Sequence, residues 1–158
     1  MIESLQSFTQ SLPEALQWVG VMLIGAIPFV ESYGGSVIGI VAGIPTPLAI
    51  AAAIAGNIVA MLALVQIAHL SRSKVTGGRA PRKELSPRQR RIQGLFERFG
   101  VPGVSLLGQW VLPSQITSSL MVSFGAGRNW VVLWQVISIV VWGVGFGVLA
   151  HLGISMLG

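Results

Sequence analysis

Charge is missing from two long runs of this chain, and that constrains it more than any motif does. From Ser32 to Ser71 there is no Asp, Glu, Lys or Arg, and from Asn129 to Gly158 there is again none. A typical globular domain carries about 25% charged residues. Here the figure is 9%, against 53% hydrophobic, in 158 residues. Uncharged apolar runs of this length read as membrane-embedded. Nine of the ten basic residues lie between Arg72 and Arg98, with Arg128 the tenth, so the net charge of +5 belongs to one segment. A pI near 11.2 points superficially to nucleic acid. A basic connector between apolar runs instead fits the positive-inside rule, so no nucleic-acid partner is expected. With no cysteine, disulfide scaffolds, thiol nucleophiles and Cys-based zinc sites are excluded.

The apolar runs are punctuated in a regular way. Ile2, Leu5 and Phe8 recur at helical spacing in a segment with Glu3 and no base, which reads as an interfacial helix of the mature protein. Ser11 to Glu14 has the form of a capping box, predicting a helix from there through Trp18 to about Ile27. Pro28, Glu31 and Gly34-Gly35 interrupt the next stretch, and Ser36 to Ile44 stops at Pro45-Thr46-Pro47. Two apolar pieces too short to span, joined at a Pro/Gly/carboxylate break, read as a re-entrant hairpin. Leu48 to Leu70, 23 residues, is long enough to cross.

Ser71 to Leu85 reads as a polar loop. Ser86-Pro87 then predicts a helix start, and Ile92, Leu95, Phe96 and Phe99 form one face of an amphipathic surface helix. The second half follows the first: Val101 to Leu112, a break at Pro113-Ser114-Gln115, Ile116 to Ala126, an exit at Gly127 to Asn129, then the spanning run Trp130 to Leu152. Ala68-His69-Leu70 recurs as Ala150-His151-Leu152. The expected fold is therefore an all-α integral membrane protein in a single domain. It has two inverted repeats (about 11–70 and 86–152), each a re-entrant helical hairpin followed by one transmembrane helix, plus interfacial amphipathic helices. A cytoplasmic 71–85 connector places the hairpins on opposite sides of a bacterial-type inner (plasma) membrane, multi-pass, and two spans per chain favour a homodimer.

Glu31 is the one acidic residue of the membrane part, and an ionised carboxylate there is costly. It is read as a proton-carrying or cation-binding group, against the plainer reading of a protonated side chain bonding backbone freed by the break. Gln109, Pro113, Ser114, Gln115, Thr117, Ser118 and Ser119 form a second polar cluster that either lines a pathway or caps half-helices. Asn57 beside Gly56 either bonds a hairpin or joins the site. Arg128 either snorkels to the surface or meets an anionic head group. Gly35, Gly39 and Gly43 are read as packing positions. His69 and His151 lie near opposite interfaces, so no metal site is expected. No nucleophile elbow, P-loop or zinc motif is present, and neither enzyme activity nor a cofactor is expected.

The stretch Ile27-Pro28-Phe29-Val30-Glu31-Ser32-Tyr33-Gly34-Gly35-Ser36-Val37-Ile38-Gly39-Ile40 resembles the "IPxIExRGxIPxGI" segment of the small multi-drug export protein family. Gly56-Asn57 resembles its Gly-Asn. Arg98-Phe99-Gly100 followed by Leu112-Pro113-Ser114 resembles its "RFG…PLPGTG" segment and, more distantly, the "RFGxxxxxxxRFxPGxR" segment of DedA/VTT-type membrane proteins. The likeness covers about residues 18 to 150. It implies two re-entrant hairpins, transport or lipid handling, and a hairpin role for Glu31, with Tyr33 standing where the family has Arg. Pro113-Ser114 replaces Pro-Gly, and the DedA-type arginines fall nearest Gln109 and Gln115. Amides cannot supply a charge-assisted phosphate clamp, which favours a cationic or neutral substrate.

Three functions compete on this reading. The first is proton-coupled export of small cationic or amphipathic compounds through Glu31, Tyr33, Asn57, Gln109, Ser114, Gln115 and Thr117. The second is a lipid or lipid-carrier flippase with Arg98 and Arg128 at the head group. The third is a non-transporting scaffold whose connector binds anionic lipid, at about 1 kcal/mol per charge. On the scaffold reading alone, replacing the connector's Lys and Arg by Gln abolishes function while Glu31→Gln does not, as scored by complementation.

Overall fold

A computed structural model describes residues 2–75 and 85–157, and no strand occurs among them. The helices are α1 (Ile2–Ser11), α2 (Gln17–Gly25), α3 (Glu31–Val41), α4 (Thr46–Val75), α5 (Pro87–Leu107), α6 (Ser114–Ser123) and α7 (Arg128–Leu157), with short 3-10 turns at Glu14–Leu16 and Gly108–Trp110. Two of them, α4 and α7, contain segments long and apolar enough to cross a membrane, Thr46–Ile67 and Arg128–Met156. Only 39% and 33% of their most apolar windows are buried in the protein. A soluble core helix would be covered on most sides.

Several boundaries differ from the sequence expectation, each for a local reason. Ser11 does not cap a following helix: it ends α1 and its hydroxyl donates back to the Phe8 carbonyl at 2.7 Å. Pro13 precedes the 3-10 turn with extended ψ and no side-chain cap, so α2 starts only at Gln17. Gly34 and Gly35 are not the break. They lie in the first turns of α3, and the chain turns at residues 26–30 around Pro28. In the second half Pro113 precedes α6, while Ser114 and Gln115 are its first residues. α4 continues to Val75, so residues 71–75 of the expected loop are helical. Residues 76–84 of the connector lie outside the described residues. The start of α5 is as expected: Ser86 and Gln89 form a reciprocal capping box with Pro87 at the first position. Gly100, at φ 63 and ψ −164, kinks α5, so the amphipathic arm is residues 87–99.

The described chain divides into two compact units, Met1–Ala60 with Ile139–Gly158, and Met61–Ser138. In the first, α2 and α3 pack side by side. Val21, Ile40, Ile44, Ala49, Ala52 and Ala53 form its core, and Ile24, Val30 and Ile38 a second cluster touched by Leu5 of α1. Glycine decides how closely these helices approach. A Cβ on Gly35 would lie 3.0 Å from the Ala53 Cβ and 3.1 Å from the Gly25 Cα, and one on Gly56 would collide with the Met22 carbonyl. In the second unit Ile92, Val104, Met121 and Val131 are buried, and Phe96 and Phe124 meet at 5.9 Å.

Both short inner helices end alike. Gly43 (φ 94) follows α3, with its N–H on Ile40 O and the Ile44 N–H on Gly39 O. Gly125 (φ 105) follows α6, with its N–H on Val122 O and the Ala126 N–H on Met121 O. This is the Schellman arrangement, which satisfies the last carbonyls where the chain must turn. Gly43 was expected as a packing position. It makes no close contact there, and its positive φ is what requires glycine.

Because the Gly56 contact is with backbone, Gly56→Ala is expected to cost about 1–3 kcal/mol or more by overpacking. Gly145→Ala, where nothing lies within 4 Å, is expected to be neutral or stabilising. Thermal unfolding of the detergent-solubilised variants measures both.

Candidate functional site

The first unit places one carboxylate on strained backbone. The turn after α2 is closed by the Val30 and Glu31 N–H groups, both on Ile27 O, at 3.1 and 3.0 Å. Reaching α3 from there puts Phe29 at φ 70 and Glu31 at φ 54. Such positive values in side-chain-bearing residues cost about 1–3 kcal/mol each and persist only where the surroundings impose them. Glu31 is fully buried and opens α3. Its unit contains no Lys or Arg anywhere in its sequence.

Hydroxyls surround this start. Ser36 Oγ donates to Ser32 O at 2.7 Å, and Ser32 Oγ donates to Ile139 O of α7 at 2.8 Å. Both serines are fully buried, as is Asn57 on α4. Ser32 reaches the α7 backbone because Gly143 faces it: a Cβ there would lie 3.0 Å from Ser32 Cβ. Tyr33, expected among substrate contacts, has its hydroxyl committed to Phe29 O at 3.0 Å, so it braces the strained turn. Its ring meets Phe146 at a tilt, centroids 5.6 Å apart, and Phe146 in turn meets Trp142 at 5.9 Å.

The second unit has polar groups but no buried charge among its described residues. Ser114, Gln115, Thr117 and Ser118 on α6 are fully buried. Thr117 and Ser118 hydroxyls donate to Ser114 O at 3.1 and 2.6 Å, and Ser119 donates to Gln115 O at 2.9 Å. These hydroxyls bond carbonyls one turn back within α6, and no side chain caps its start. Thr117 also accepts from Gln135 Nε2 of α7 at 3.0 Å. Gln109 Nε2 donates to Ser138 Oγ at 2.8 Å, which donates to Ser105 O at 2.6 Å. Gln109, Ser114 and Thr117 thus belong to one neighbourhood. Ser105, Gln135 and Ser138 complete it and were missed from the sequence. The available signal was that Gln135 and Ser138 are polar residues one turn apart inside an otherwise apolar helix.

The remaining expected residues lie on the surface. Arg98 is exposed, its guanidinium 5.0 Å from the Phe99 ring, and Arg128 is exposed at the start of α7. His151 Nδ1 lies 2.9 Å from Thr46 Oγ1, and the His69 side chain lies outside the described part. Among the described residues no group of three or more His, Asp or Glu could hold a metal ion.

Ser138→Ala strands Gln109 Nε2 and the Ser105 carbonyl, and is expected to cost about 1–3 kcal/mol. Ser119→Ala, on a half-exposed hydroxyl, is expected to cost well under that. Comparing their unfolding midpoints measures the difference. No protein family, curated protein or solved structure matches the chain.

Proposed function

We propose that the chain is a membrane-embedded secondary transporter that exports small cationic or amphipathic compounds in exchange for protons, with Glu31 as the exchanging carboxylate. One observation carries this reading: Glu31 is fully buried on backbone held at φ 54, at the start of a short helix. Strain and buried carboxylate at one residue are costs that packing alone does not require. The poorly covered apolar faces of α4 and α7 support the membrane setting, multi-pass with a cytoplasmic connector.

Duplication is part of the proposal. α4 and α7 each have 30 residues and begin 82 residues apart. The same interval relates Gly43 to Gly125 and the Ser36–Ser32 hydrogen bond to the Ser118–Ser114 bond. It also relates Gly35 against Ala53 to Thr117 bonded to Gln135. We read α2–α3 and the end of α5 with α6 as two re-entrant hairpins of opposite orientation, as the resemblance to small multi-drug export and DedA-type proteins implies. With two full spans per chain, a homodimer is the proposed working unit.

The substrate is read as cationic because the second polar group offers hydroxyls and amides and no cation. A head-group reading keeps one support, the exposed Arg98 stacked on Phe99. The two separate in liposomes. Ethidium flux driven by an imposed pH gradient is expected for wild type, loss to background for Glu31→Gln, and partial retention for Glu31→Asp. Flux that ignores collapse of the gradient, or a fully active Glu31→Gln, refutes proton exchange. Translocation of a labelled phospholipid above empty liposomes would favour the flippase.

A further inference from the structure

The polar neighbourhood of the second unit leaves two buried oxygens without a hydrogen-bond partner. The Gln135 Nε2 group is turned to Thr117 Oγ1, and the Gln109 Nε2 group to Ser138 Oγ. The Thr117 hydroxyl is turned to Ser114 O, and the Ser138 hydroxyl to Ser105 O. Each of these four side chains thus donates at least one hydrogen bond within the protein. Gln135 Oε1 and Ser105 Oγ have no hydrogen-bond partner, although both residues are fully buried. Thr117 Oγ1 and Ser138 Oγ each keep a spare lone pair.

These oxygens are close in the fold. Gln135 and Ser138 share one face of α7. Ser138 touches the Ser105 carbonyl of α5, and Gly108, one turn past Ser105, would place a Cβ 3.4 Å from Thr117 Cγ2. An unpartnered buried acceptor costs about 1–3 kcal/mol. Two unpartnered oxygens in one neighbourhood, with two hydroxyl oxygens that each keep a lone pair, are a cost that a bound ligand would remove. A ligand for such a set is a compact cation taking neutral oxygens.

We infer that Gln135 Oε1, Ser105 Oγ, Thr117 Oγ1 and Ser138 Oγ form a monovalent-cation site, for an alkali ion or ammonium, where α5, α6 and α7 meet. Thr117 is shared with the proposed pathway, but the site is independent of Glu31 and of any transport, and its test reads binding.

The experiment is thermal unfolding of the full chain in detergent, titrating NaCl, KCl or NH4Cl against choline chloride at constant ionic strength. One of the three small cations is expected to raise the midpoint saturably, and the comparison among them names the ion. Ser105→Ala removes a hydroxyl that bonds nothing, so it is expected to fold and to weaken the ion response roughly tenfold. Gln135→Glu adds a charge to the set and is expected to tighten it. Glu31→Gln is expected to leave the response unchanged. A midpoint that responds to all four salts alike overturns the site. So does a Ser105→Ala protein that responds as wild type.

Discussion

Every short helix in this chain must close its own ends, and most of the structure follows from that requirement. Backbone groups in apolar surroundings have no water to bond, so each break needs a partner supplied by the chain itself. α3 and α6 solve their C-termini identically, with Gly43 and Gly125 in the left-handed region returning N–H groups to the last turn. At the other end, Tyr33 returns its hydroxyl to the Phe29 carbonyl. Serine and threonine fill the interiors: Ser36, Thr117 and Ser118 each bond a carbonyl one turn back. The buried hydroxyls are therefore first a structural necessity, and any binding chemistry is built on what they leave unused.

On the proposed duplication, the two halves differ in chemistry at matching positions. Gly35 on Ala53 and Gly56 under the Met22 carbonyl seal the first half by close backbone approach, with no polar side chain at the crossing. At the corresponding interval the second half has Thr117 bonded to Gln135, and nearby Ser138 bonds the Ser105 carbonyl. Close glycine packing gains dispersion contacts and leaves room for one costly group, Glu31. The hydrogen-bonded crossing spreads its polarity over neutral atoms. A buried carboxylate responds to protons, whereas neutral oxygens respond to cations and hydrogen-bond donors. On the reading proposed here, duplication followed by divergence supplies both within one small chain.

Legibility varied with the kind of force involved. The two long apolar helices were plain in the sequence because hydropathy is a property of residues, not of contacts. Ser86 and Pro87 were legible because a capping box is local. Ser11 and Glu14 carried the same signature and did not form one: Pro13 and the end of α1 took that stretch first. Gly34 and Gly35 looked like a break because paired glycines usually are. In a packed helix they serve close approach to Gly25 and Ala53, which no local pattern reveals. Tyr33 was read as a ligand contact, and the bond its hydroxyl donates to its own turn has no signature along the chain.

By itself, then, the sequence determined that this chain is helical, that two of its helices are long and apolar enough to cross a membrane, and that Glu31 is the one acidic residue inside its apolar runs. Those conclusions rest on charge and periodicity, which one-dimensional order carries in full. Tertiary structure decided which polar residues share a neighbourhood. Ser105, Gln109, Thr117, Gln135 and Ser138 are distributed over α5, the 3-10 turn after it, α6 and α7, and only their packing shows which of them bond one another and that two buried oxygens are left over. Hydrogen-bond balance is a sum over neighbours in space, so it has no signature along the chain.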